Sequence, residues 1–96
     1  MTTQMWLDAE ARYPGHVARI RRARAILEAH LRDPRAGIIR ARIGADGDVS
    51  FTVRSQSNPR GEYVVDAQGC VCPDWPKSER CKHYIAVSVL RALLGA

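Results

Sequence analysis

Residues 70–83 read CVCPDWPKSERCKH, and they contain all three cysteines of a 96-residue chain together with one of its three histidines. The pattern is C-x-C, eight intervening residues, then C-x-H. Two physical constraints follow from those short spacings. On an extended strand, residues two apart point the same way but stand roughly 7 Å apart at about 3.3 Å of rise each. Two thiolates about 2.3 Å from one metal ion therefore require a bend, for which Gly69 before Cys70 and Pro73 after Cys72 are suited. On a regular helix, residues two apart diverge by about 200°. Cys81 is thus expected at or before the N-cap of a helix, with His83 in its first turn, where the helix N-terminus favours a thiolate. Four such ligands, Cys70, Cys72, Cys81 and His83, fill a tetrahedral zinc site and leave no open position, so the ion has a structural role. The alternative is a set of small buried cysteines beside an ordinary first-turn histidine. His16 and His30, at the ends of an expected helix without cysteine neighbours, are assigned solvated or capping roles.

On the N-terminal side of this stretch the pattern alternates. In GIIRARI, Ile39, Ala41 and Ile43 share one side and Arg40 and Arg42 the other; in VSFTVRS, Val49, Phe51 and Val53 oppose Ser50, Thr52 and Arg54. GADG between them signals a hairpin, and Pro59 and Gly61 mark a second turn before EYVVD. Three antiparallel strands are expected, with Arg40, Arg42, Ser50, Thr52, Arg54, Glu62, Val64 and Asp66 on the outer face. Further upstream, Val17, Ile20, Ala23, Leu27 and Leu31 recur at helical spacing between His16 and Leu31, and Asp33-Pro34 ends that helix. A shorter helix with Thr3 as N-cap carries Met5, Trp6, Ala9 and Tyr13 until Pro14-Gly15. After Cys81 the chain is apolar nearly all round, with Tyr84, Ser88 and Arg91 as a polar stripe, which predicts a largely buried final helix.

The sequence thus predicts an α+β fold: one or two N-terminal helices, a three-stranded antiparallel sheet and a C-terminal helix, with one structural zinc joining the sheet end to the last helix. Residues 1–36 form a basic helical extension and 37–96 the zinc module, in one compact domain whose small core gains from a metal. No run of 18 apolar residues and no secretory signal are evident, so a cytoplasmic protein with reduced or metal-bound thiols is expected.

C-x-C-x8-C-x-H after a pair of strands, running into an apolar helix, resembles the SWIM zinc finger, whose ββα unit carries C-x-C, a variable gap and C-x-H. The likeness covers about residues 49–90, and CPDW and CKHYIAV are similar to family variants. It implies Cys70, Cys72, Cys81 and His83 as the zinc ligands, and a role in DNA binding or protein interaction. SWIM modules occur in helicase-like ATPases and transposases, but no phosphate loop or acidic metal triad accompanies this one, so an accessory protein is expected.

Fifteen basic residues against ten acidic give a formal charge of +5, and thirteen of the fifteen are arginine. Three thiolates and one divalent ion would lower that by only one, so the metal-loaded protein would stay basic and attract polyanions. The leading expectation is an accessory module that binds nucleic acid, most naturally DNA and including single strands. Arg19, Arg21, Arg22, Arg24, Arg40, Arg42 and Arg54 would contact phosphates. Trp75 would stack on a base or anchor a partner, or else simply cover the zinc sulfurs. Ion pairs with Glu28, Glu62 and Asp66 are the bland alternative for the arginines. A second expectation is an adaptor that docks a larger recombination, transposition or phage protein through the last helix or through Met5, Trp6 and Tyr13. Catalysis, a membrane and a small-molecule substrate are not expected, because Cys81 and His83 are placed to converge on metal rather than to form a nucleophile pair.

Overall fold

A computed structural model describes residues 2–55, 61–66, 69–72 and 81–95. Pro59, Pro73 and Trp75, to which the sequence assigns turn, bend and stacking roles, lie outside them.

Helix α1 (Thr3–Arg12) is capped by Thr2, not Thr3: the Thr2 hydroxyl accepts the Met5 N–H at 3.2 Å, which satisfies an amide that has no partner within the helix. The Tyr13 N–H closes its C-terminus on the Ala9 carbonyl, and Pro14 opens a 3-10 turn (Pro14–His16) that redirects the chain. Helix α2 (Val17–Arg32) then runs until Asp33-Pro34, as its sequence predicts. Its buried positions are Ile20, Ala23, Ile26 and Leu27. Ile26 widens the expected stripe because α2 packs against both α1 and the last helix, while Leu31, expected inside, is exposed in the final turn.

The sheet has four strands, not three: β1 (Ile39–Ile43), β2 (Val49–Arg54), β3 (Glu62–Asp66) and β4 (Gly69–Cys70), antiparallel and adjacent in chain order. Two residues are too few to show alternation, which is why β4 escapes a periodicity reading. It is fixed instead by the Val65–Cys70 and Asp66–Gly69 pairs, and by the Asp66 carboxylate accepting the Gly69 N–H at 3.1 Å. Gly69 has φ 148°, a conformation that side-chain-bearing residues rarely adopt.

Cross-strand pairing sets the faces. Ile39 opposes Val53, and Phe51 opposes both Ala41 and Val65, so these residues and Cys70, opposite Val65, share the core side. Ile39, Phe51, Val53, Val65 and Cys70 are buried there. Ala41, Ile43 and Val49 are on the same side but exposed, because the β1–β2 hairpin overshoots the helical layer. Thr52, expected on the outer face in solvent, is only 5% exposed; it lies between Arg40 and Val64 of the flanking strands.

Helix α3 (Lys82–Gly95) packs along α2 and against β3 and β4. Ala86, Val87 and Leu90 join the core cluster that runs from Trp6 through Leu27 and Phe51 to Leu90. Burial does not extend along the whole helix as expected: Leu93 and Leu94 are 45% and 72% exposed, because the last turn reaches past α2 and the sheet. Ser88 and Arg91 are exposed on the expected polar stripe, and Ser88 Oγ donates to the Tyr84 carbonyl.

Candidate metal centre

Four elements of local structure deliver four donor atoms to one point. Cys70 ends β4 on the core side, and the chain bends immediately after it, turning Val71 outward at 69% exposure and Cys72 back inward. Cys81 is the N-cap of α3: its carbonyl accepts the Ile85 N–H, and its sulfur accepts the Tyr84 N–H at 3.4 Å. His83 follows in the first turn. The bend and the cap are the two devices that the one-residue spacings require.

The donor atoms of Cys70, Cys72, Cys81 and His83 all lie within 4.8 Å of one another, and all four residues are buried, so together they form a group that can hold a metal ion. Cys70 Sγ stands 3.9 Å from His83 Nδ1. The three thiols are free rather than paired in a disulfide. The Cys72 N–H donates to Cys70 Sγ at 3.5 Å, so backbone amides reach two of the sulfurs, an arrangement suited to carrying negative charge.

The imidazole is held on one side by Tyr63, whose ring centroid is 4.7 Å away at a tilt of 38°. Tyr63 was not singled out in the sequence, although alternation in EYVVD already places it on the face of Val65 and hence of Cys70. His83 Nε2 is buried without a hydrogen-bond partner among the described residues, so the ring is positioned by Tyr63 and by the sulfur cluster at Nδ1.

Without metal the thiols differ. A hydrogen bond from Cys70, helped by His83 and the Tyr84 N–H, holds Cys81 well below the ordinary thiol range. The same bond, with burial, pushes Cys70 up. Binding of a cation by the sulfurs would require the Cys70 proton to leave.

The arginines do not form one patch. Arg40 and Arg42 leave β1 on the face opposite the core and are exposed, whereas the α2 arginines lie in the helical layer. Arg21 pairs with Glu10, Arg24 pairs with Glu28 one turn on, and Arg54 donates to the Ala36 carbonyl. Arg19 and Arg22, with Lys82 of α3, line a cavity of roughly 340 Å³ whose walls include Cys72, Cys81 and His83. No helix among the described residues is long and apolar enough to cross a membrane. No family model, no curated protein and no solved structure matches the chain.

Proposed function

We propose that the four residues hold one structural zinc ion in a SWIM-like unit, and that the module binds nucleic acid through the basic surface beside it. Three thiolates and an imidazole are a characteristic zinc donor set, and sulfurs about 2.3 Å from a central ion lie about 3.8 Å apart. Ligand atoms within 4.8 Å of one another need shift only slightly to close on it. A centre with four protein ligands has no position for substrate, which favours a binding module over an enzyme.

The observation that carries the nucleic-acid reading is the cavity where Arg19, Arg22 and Lys82 converge from α2 and the start of α3. Arg22 and Lys82 bring positive charge beside a zinc bound by three thiolates, whose net charge would be a single negative one, and the α3 N-terminus adds a favourable dipole. A backbone phosphate fits that field, and Arg40 and Arg42 give a second, separate basic strip on the sheet.

The test is binding of zinc-loaded protein to labelled single- and double-stranded DNA from about 50 to 300 mM salt, beside an Arg19→Gln/Arg22→Gln variant. Each phosphate contact contributes a log–log slope of about −0.9 on duplex or −0.7 on single strands, so loss of two contacts in the double variant should flatten the slope by about 1.8 on duplex or 1.4 on single strands. Absence of binding at the lowest salt, or a slope that the substitutions leave unchanged, would contradict the reading.

An adaptor role is the second reading. It rests on exposed Leu93 and Leu94 and on an apolar groove of about 210 Å³ between Tyr13, Ile20, Ile85 and Val89. Trp6, in the N-terminal segment of that reading, is 3% exposed in the core. Binding that persists at high salt and depends on Leu94 would favour it.

A further inference from the structure

Strand β1 stands at the end of the sheet, and its hydrogen-bonding groups divide by parity. The Arg54 N–H donates to the Ile38 carbonyl and the Gly44 N–H to the Asp48 carbonyl, so the even-numbered residues of β1 exchange bonds with β2. The N–H and C=O groups of Ile39, Ala41 and Ile43 therefore face outward. Among the described residues nothing pairs with that edge, and every residue of β1 beyond Ile39 is exposed. The two faces beside it differ in chemistry. On the core side, Ala41 and the cross-strand pair Ile43 and Val49, 78% and 43% exposed, extend the buried Ile39 and Phe51 into solvent as an apolar ledge. On the other face stand Arg40 and Arg42, exposed and without an ion pair among the described residues.

We propose that the β1 edge is a docking site for an extended segment of another protein in which apolar and acidic side chains alternate. Such a segment would add a fifth strand by main-chain hydrogen bonds to Ile39, Ala41 and Ile43. Directly opposed residues point the same way, so its apolar side chains would cover Ala41 and Ile43 while its carboxylates meet Arg40 and Arg42. Charge complementarity selects this occupant over a second copy of the chain: two β1 strands paired about Ala41 would set Arg40 against Arg42 in both directions, and opposed like charges resist edge pairing.

The proposal does not depend on the metal or on nucleic acid, and it is tested with the zinc-loaded full chain. The probe is a fluorescent, end-blocked heptapeptide of alternating Glu and Val, beside its Lys and Val counterpart. The acidic peptide should bind, and the amide exchange of Ile39, Ala41 and Ile43 should slow while that of Arg40 and Arg42 stays the same. Ala41→Pro removes an outward N–H that serves no internal bond, and it should weaken binding by about tenfold or more. If that variant does not fold, Arg42→Glu gives an independent answer: preference should move toward the basic peptide. Failure of the acidic peptide to bind, or binding indifferent to both variants, overturns the proposal. So does protection of the same three amides by self-association without peptide.

Discussion

Replacing Cys81 with serine should abolish cooperative folding of the sheet-to-helix junction, with loss of tight zinc binding. Serine isolates the metal contribution because its hydroxyl can still cap α3, where Cys81 Sγ now accepts the Tyr84 N–H. A structural zinc contributes about 10–16 kcal/mol in small zinc modules, comparable with or above the roughly 5–15 kcal/mol of net stability typical of a domain. The variant should therefore melt without a sharp transition at temperatures where the parent is folded. Val71→Ser is the control. Val71 lies between Cys70 and Cys72 but is 69% exposed, so its replacement should change stability by no more than about 0.5 kcal/mol. A Cys81→Ser protein with the parent's near-UV spectrum and melting curve would remove the metal from the account.

Leu27→Ala should have the second largest effect. Leu27 is fully buried in α2, within the cluster that also contains Phe51, Val65, Cys70, Cys81 and Leu90. Truncating such a leucine costs about 2–5 kcal/mol, set by how far the surroundings collapse into the cavity. Its location makes the substitution informative about organisation. If residues 1–36 and the remainder that carries the three cysteines and His83 fold as one cooperative unit, Leu27→Ala should lower the melting temperature and weaken zinc affinity together, although none of those four residues is touched. If the first helices are an appendage, zinc affinity should match the parent while only the helical signal falls. Thermal unfolding and a competitive zinc titration on the same variant separate the two outcomes.

Much of this architecture is legible in the sequence because the informative signals are local. The 3.6 period of Ile20, Ala23 and Leu27 and the alternation through Val49–Arg54 each report which side of an element is apolar. The spacing of Cys81 and His83 requires a helix cap, and the cap is there. What periodicity does not report is how far the opposing layer extends. Ile43, Val49, Leu31, Leu93 and Leu94 sit on the apolar sides of their elements but beyond the end of whatever would cover them. Thr52 is the converse: an outward position buried by its neighbours on the strands to either side. Strand β4 is set by a turn and by pairing with β3, neither of which leaves a pattern in two residues. For the arginines, composition gave the charge but not the partners; Glu10, eleven residues from Arg21 and on another helix, is a tertiary contact that spacing alone does not reveal.

The most direct test of the central claim, that a single ion bound by Cys70, Cys72, Cys81 and His83 couples the sheet to α3, is a zinc titration of reduced, metal-free protein followed by circular dichroism and thermal melting. A break at one equivalent per chain is expected, with native signal and a cooperative melt appearing together. Repeated across pH, the affinity should strengthen as pH rises and weaken as it falls, because the proton that burial and the Cys81 hydrogen bond hold on Cys70 must leave when the ion binds. Metal-free protein that already shows the full native signal and melts like the loaded form would contradict it.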